Sequence, residues 1–190
     1  MVNMNEENKE LEIKISGTGG QGILIFGELL AKGAVLKGYN ASVIPSYGSQ
    51  VKGGVVEVQV IISKDFITCP FVSNLSILCA LSQAGYDNNI NLIKEETLIF
   101  YDDVTVKKII HRGKHIPVSA TRYCVENFKT SLPANLFFLG FLAGFLKSFL
   151  ELSLLEETLK EKNLANEINL KALIGGYENF KKGGFDDKNQ

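Results

Sequence analysis

Ser16-Gly17-Thr18-Gly19-Gly20-Gln21-Gly22 is the stretch on which the reading of the fold turns. Immediately before it, Leu11-Glu12-Ile13-Lys14-Ile15 alternates apolar and polar residues, as a short strand does. Immediately after it, Ile23, Phe26 and Leu30, with Ile25, Leu29 and Leu36, form a broad helical stripe. The pattern predicts a strand, a loop with glycines at 17, 19, 20 and 22, and a helix start. Such a junction suits an anion. Glycines let backbone N–H groups face a ligand without a Cβ in the way, and the helix dipole favours negative charge there. A tight strand-to-helix turn needs fewer glycines than this loop carries.

Gly17, Gly19 and Gly22 also fit G-x-G-x-x-G, the dinucleotide fingerprint. That fingerprint wants an acidic residue about 20 positions on, at the end of the second strand. The second strand is expected at Ala41-Ser42-Val43-Ile44-Pro45, and no Asp or Glu lies between Lys32 and Lys52. A Walker loop is excluded because Ile23 stands where its lysine would be. A free-standing NAD- or flavin-binding protein is therefore the alternative reading.

The 190 residues carry a formal net charge of −1, with scattered basic residues, which argues against a nucleic-acid partner. No basic segment followed by an apolar one opens the chain, so a secretory address is not expected. Cys69, Cys79 and Cys124 are too few for a disulfide framework and one short of an ordinary iron–sulfur ligand set. A reduced, cytoplasmic setting follows. The apolar run from Leu132 to Leu146 is shorter than the roughly 20 residues of a membrane span, and Asn135 sits near its start. It is expected to be a helix buried nearly all round, with no membrane partner.

Residues 1–10 and 183–190 are polar and charged and are read as disordered tails around a single domain at 11–182. Within that domain a second glycine-bearing loop, Ser46-Tyr47-Gly48-Ser49-Gln50-Val51-Lys52-Gly53-Gly54, leads into the strand Val55–Ser63, expected to run antiparallel. Leu75–Leu81 reads as a central strand ending at Ser82-Gln83, with a helix after it. Leu98–Tyr101 and His115–Val118 are further strands. Ser153 with Glu156 reads as a capping box, and a final helix is expected from Asn166 to Lys182. The fold class is α/β: a three-layer domain with a mostly parallel, mixed sheet and a helical C-terminal third. Ligands of such sheets sit outside the carboxyl ends of strands, where the Gly17–Gly22 loop, the Ser46–Gly54 loop and Ser82-Gln83 all fall.

With these segments in place, the chain resembles the gamma subunit of 2-oxoacid:ferredoxin oxidoreductases, from about Ile13 to Gly175. The residues carrying the resemblance are Gly17-Thr18-Gly19-Gly20-Gln21-Gly22, Pro45-Ser46-Tyr47-Gly48 and Lys52-Gly53-Gly54. Ala80-Leu81-Ser82-Gln83, Phe100-Tyr101-Asp102, and Ala134-Asn135 with Leu139-Gly140 agree less strictly. Ser49-Gln50-Val51-Lys52 replaces the family's usual Pro-Glu-Met-Arg, and Ser82 replaces its asparagine. Lys52 would meet a phosphate as a point charge rather than a bidentate fork.

The resemblance implies a non-autonomous subunit of a complex that turns pyruvate, 2-oxoglutarate, ketoisovalerate or a related 2-oxoacid, coenzyme A and oxidised ferredoxin into acyl-CoA, CO2 and reduced ferredoxin. It implies alpha and beta partner subunits, with a ferredoxin-like delta subunit as a further candidate. Thiamine diphosphate, magnesium and iron–sulfur clusters would sit on those partners, and ferredoxin would be met indirectly. On this chain it implies a coenzyme A-side cleft drawn from Gly17 to Gly22, from Ser46, Tyr47, Gly48, Lys52, Gly53 and Gly54, and from Gln83 and Asn135. No catalytic residue and no metal ligand is assigned to it.

Other residues invite chemistry less strongly. His111 and His115 are four apart, but Arg112-Gly113-Lys114 between them suggests a hairpin tip or loop. Asp102-Asp103 suits a turn after a strand as well as an acid–base pair. Cys69 and Cys124 read as small buried residues, and Tyr47 as a possible stacking partner for a ligand.

Overall fold

The computed structural model describes residues 10–47 and 54–183. In chain order they form β1 (Glu10–Thr18), α1 (Ile23–Leu36), β2 (Asn40–Tyr47), β3 (Val55–Ser63), β4 (Ile77–Ala80), α2 (Gln83–Asp87), β5 (Leu98–Asp102) and β6 (Lys114–Val118). Four helices follow: α3 (Ala120–Phe128), α4 (Ala134–Phe145), α5 (Leu152–Glu161) and α6 (Glu167–Lys182). Gly48, Lys52 and Gly53 of the second glycine loop lie outside the described residues, as do both tails except Glu10 and Gly183.

The strands join one mixed sheet in the order β2-β3-β1-β4-β5-β6. β1, β4, β5 and β6 pair in parallel. β3 runs antiparallel to both β1 and β2, as the short connection before it leads one to expect. β2 therefore points the same way as β1, and only β3 is reversed. The carboxyl ends of five strands, at Thr18, Tyr47, Ala80, Asp102 and Val118, consequently lie along one edge.

Alternation along the strands sorts side chains between the two faces. On β1, Leu11, Ile13 and Ile15 enter the main core with α1, α4 and α6. Glu12, Lys14 and Ser16 point to the opposite face, where a second, smaller core holds Leu78, Tyr86 and Ile99. That face is covered by α2 and by connecting segments more than by long helices. Glu12 accepts N–H bonds from Ser73 and Asn74, which straps the 64–76 connection to the sheet.

α4 is apolar on every side because it is packed on every side. Phe138 meets Phe26 of α1 at 5.8 Å between ring centroids, and Phe141 meets Phe100 of β5 at 6.3 Å. On the outer side Phe141 meets Phe180 of α6 edge-on at 5.5 Å. The two helices approach so closely that a Cβ on Gly140 would strike the Leu173 carbonyl, and one on Gly176 the Phe137 carbonyl. Among the described residues no helix is long and apolar enough to cross a membrane.

Three sequence expectations need correction. α5 starts at Leu152 with Glu151 as its N-cap, so Ser153 sits within the first turn instead of capping it. Leu155 N–H bonds to Glu151 O, and the Glu151 carboxylate pairs with Lys37 at 3.0 Å. Of the two readings of the segment with His111, the loop holds and the hairpin tip does not, because the segment is a crossover between the parallel strands β5 and β6. Cys69 is exposed, because the 64–76 connection carries it on the surface, whereas Cys79 and Cys124 are buried.

Candidate functional site

The glycine loop leaves β1 at Thr18 and enters α1 at Ile23. Gly20 (φ +90°) and Gly22 (φ +67°) take the left-handed backbone that turns the chain back on itself, a conformation costly for residues with a Cβ. Gly17 is needed for space, since a Cβ there would stand 2.6 Å from Gln21 Oε1 and 2.7 Å from Ile23 Cδ1. Gly19 and Gly20, at the apex, have nothing within 4 Å of where a Cβ would lie. The loop is thus tight at its base and bare at its tip. Below it, Gly85 of α2 presses on β1, with a Cβ position 2.7 Å from Ser16 C and 2.8 Å from Gly17 N.

Side chains fix the loop at both ends. Gln21 Oε1 accepts from Thr18 N (2.7 Å) and Thr18 Oγ1 (3.1 Å), and Gln21 Nε2 donates to Leu81 O beyond β4 (2.7 Å). Asn135 in the first turn of α4 is buried and donates from Nδ2 to Gly22 O at 3.2 Å. Neither α1 nor α4 has a side-chain cap on its N-terminus. Beside these helix starts lies a cleft of about 130 Å³ lined by Gly20, Gln21, Leu81, Asp102, Thr121 and Asn135, among others.

Asp102 closes the floor of that cleft as a structural group. Its Oδ1 accepts from Val104 N and Thr105 N (2.9 and 3.3 Å), and its Oδ2 from Thr121 N in the first turn of α3 (2.8 Å). The carboxylate thereby shapes the turn after β5 and caps α3. Asp103 binds Ser119 Oγ at 2.8 Å and Arg122 at 3.3 Å. Both acids therefore do what a turn requires.

The sequence candidates separate accordingly. Gly17–Gly22 and Asn135 come together at one site. Gln83 does not join them through its amide, which is spent elsewhere: Oε1 accepts from Lys107 N and Lys108 N, and Nε2 donates to Asp87 Oδ1 and Lys108 O. Ser46 is exposed at the end of β2, opposite Glu57. β2 and β3 register Tyr47 with Val56, and β1 registers Val56 with Gly17, so the second loop leaves the same sheet edge as the first. Gly54 opens β3 at that edge. Thr105, Thr121 and Leu132 also line the cleft, and no signal in the sequence marks them. Thr105 is placed by the turn after β5, Thr121 by the first turn of α3 and Leu132 by the connection from α3 to α4.

Among the described residues no three His, Cys, Asp or Glu side chains gather as a metal centre would need. Burial pushes the Cys79 thiol well up, and burial with the nearby Asp102 charge pushes Cys124 up to about 12. His115 Nε2 is hydrogen-bonded to Tyr86 Oη at 2.9 Å, and burial lowers its pKa.

The profile of the family described as pyruvate ferredoxin/flavodoxin oxidoreductase matches residues 12–179. The chain is 31% identical over 170 residues to the 2-oxoglutarate synthase subunit KorC of Archaeoglobus fulgidus, covering 90% of this chain and 88% of that protein. It is similar to the gamma subunit of the keto/oxoacid ferredoxin oxidoreductase of Geobacter sulfurreducens, with a TM-score of 0.75 and 26% identity over 90% of this chain and 99% of that one. At 23% identity it shares its fold (TM-score 0.76) with part of the 2-oxoglutarate:ferredoxin oxidoreductase of Magnetococcus marinus, solved with 2-oxoglutarate, coenzyme A and succinyl-CoA. The match covers 92% of this chain and 31% of that longer one. These relatives do not support the dinucleotide reading. The sheet gives a physical reason, because β3 stands between β1 and β2 and moves the second strand's end one strand away from the loop.

Proposed function

The chain belongs to the pyruvate ferredoxin/flavodoxin oxidoreductase family, and from that premise we propose that it is the gamma-type subunit of a 2-oxoacid:ferredoxin oxidoreductase whose glycine loop forms one wall of the coenzyme A cleft. The reaction converts a 2-oxoacid, coenzyme A and two oxidised ferredoxins to acyl-CoA, CO2, two reduced ferredoxins and a proton. Decarboxylation and electron transfer belong to alpha and beta partners, which carry thiamine diphosphate, magnesium and iron–sulfur clusters; a delta subunit would pass electrons on. We propose the cytoplasm as the compartment of the complex. Among the described residues no donor set gathers for any of those groups, and the part proposed for this chain is to shape and to bind.

One observation carries the reading: the apex Gly19-Gly20 is bare, beside the uncapped start of α1, on the edge where five strands end. Bare backbone at a helix start lets N–H groups approach an anionic ligand closely. The cleft of about 130 Å³ is smaller than the roughly 300 Å³ at which ligand pockets begin, so a partner subunit would complete it. Lys52, in the loop leaving the same edge, would supply a positive charge for a phosphate.

Gly19→Val tests this in the assembled complex. Gly19 has no left-handed φ and open space around it, so the fold tolerates the side chain while the approach to the backbone is blocked. The coenzyme A KM is expected to rise at least tenfold, with the 2-oxoacid KM unchanged. An unchanged coenzyme A KM rejects the reading.

A further inference from the structure

We infer that Gln21 is a positioning residue of the coenzyme A site: its amide clamps the glycine loop to the end of β4 and sets the conformation that a ligand meets. The inference rests on the coenzyme A reading above and assigns Gln21 a role other than ligand contact.

The amide has room for four hydrogen bonds, and three are made inside the protein. Oε1 accepts both from the Thr18 N–H and from the Thr18 hydroxyl, which fills its two lone pairs. Nε2 donates to Leu81 O, leaving a single N–H unassigned. The orientation of the amide is forced. Turned over, its NH2 would face the Thr18 N–H and its oxygen the Leu81 carbonyl, losing both of those bonds, with only the Thr18 hydroxyl able to reverse its role.

What the clamp joins makes it more than local packing. Thr18 is the last residue of β1, and Leu81 follows β4, the parallel neighbour of β1. Leu81 N–H already donates to Ser16 O, so the backbone below the loop is tied to the same point. Gln21 adds the tie above it, and Asn135 holds the far end at Gly22 O. Between these two amides the apex Gly19-Gly20 is closed by one backbone turn bond, Gln21 N–H to Thr18 O at 3.2 Å. Without the Gln21 side chain that bond holds the turn with less support, and Gly20, in left-handed backbone at φ +90°, has the freedom to rotate that a Cβ would deny it. A ligand would then have to order the loop as it binds, and the ordering would weaken its affinity.

The test is steady-state kinetics on the assembled complex with Gln21→Met, which keeps length and loses every amide bond. The expected result is about a tenfold rise in the coenzyme A KM, the loss of one to two net hydrogen bonds. The kcat at saturating coenzyme A and the 2-oxoacid KM should not change. Gln21→Glu keeps an acceptor for Thr18 but sets a negative charge against the Leu81 carbonyl and the anionic ligand, so a rise at least as large is expected with it. Hydrogen exchange on the complex adds a direct reading, with the Thr18 amide losing protection in Gln21→Met. An unchanged coenzyme A KM in Gln21→Met, beside a raised one in Gly19→Val, overturns the positioning role and leaves the coenzyme A reading standing. Unchanged values in both overturn the two together. A fall in kcat at saturating coenzyme A overturns positioning in favour of a part in the chemistry. If Gln21→Met does not assemble, Gln21→Leu, which also loses every amide bond without adding a charge, decides by the same two measurements.

Discussion

Lys14 and Glu57 form an ion pair at 3.1 Å on the second face of the sheet, each side chain only 11% exposed. Burial alone would raise the glutamate's pKa. The Asn89 hydrogen bond, the Lys14 charge and the Ser16 hydrogen bond together outweigh it and hold the carboxyl below its ordinary range. A depressed carboxylate adds stability that is present above the unfolded pKa and lost as pH falls through the folded one. Removing Lys14 takes away a charge that offsets the cost of burial, so the destabilisation in Lys14→Met should be greatest at neutral pH and shrink as acid protonates Glu57. At neutral pH that variant leaves a buried carboxylate without its cation, at a cost on the order of 3 kcal/mol. Lys14→Met/Glu57→Gln should recover much of the loss. Thermal unfolding of the three proteins between pH 4 and 8 checks both points, and equal losses in single and double variants would refute the account.

Among the elements, α4 and α6 are the pair most sensitive to a single methyl group. Gly140 and Gly176 face each other's helices at the crossing, and an added Cβ at either meets a main-chain carbonyl that cannot swing aside. Overpacking against backbone falls at the upper end of the usual range, about 3 kcal/mol. At roughly 2–4 °C per kcal/mol for a chain of this size, Gly140→Ala or Gly176→Ala should lower Tm by about 6–12 °C. Calorimetry on the purified chain measures it. Gly19→Ala serves as the contrast, since its Cβ would meet nothing and Tm should hardly move. The same crossing explains why the Leu132–Leu146 stretch is apolar all round: α1 and the sheet take one side and α6 the other.

For the whole molecule, the prediction concerns what the chain can do alone. It has three cysteines, two of them buried, and no gathered acidic or histidine ligands among the described residues. Purified by itself it should be colourless and should not reduce a redox dye at the expense of a 2-oxoacid. Mixing or co-expression with alpha and beta partners should restore coenzyme A-dependent reduction. Stoichiometric iron and sulfide in the isolated chain would refute this division of labour.

The sequence by itself determined most of the elements and the glycine loop between β1 and α1. Alternation in Leu11–Ile15 and Val55–Ser63, the helical stripe after Ile23 and the glycine density between them were enough, because each follows from local periodicity and local φ preferences. Asn166 likewise declared the start of α6, where its side chain accepts from Asn169 N. Ser153 misled because a capping pattern is only a local offer; the chain entering α5 instead turns at Glu151, which is tied to Lys37. Only the tertiary structure decided what each site residue does. Gln21 and Gln83 are the same amide, yet one clamps the glycine loop to Leu81 O while the other is spent on Lys107 and Lys108. Asp102 became the cap of α3 and the floor of the cleft because Thr121, 19 residues on, was brought to it. Such roles depend on which donors and acceptors meet across the sheet edge, and the strand order β2-β3-β1-β4-β5-β6, set by non-local packing, is what brings them together.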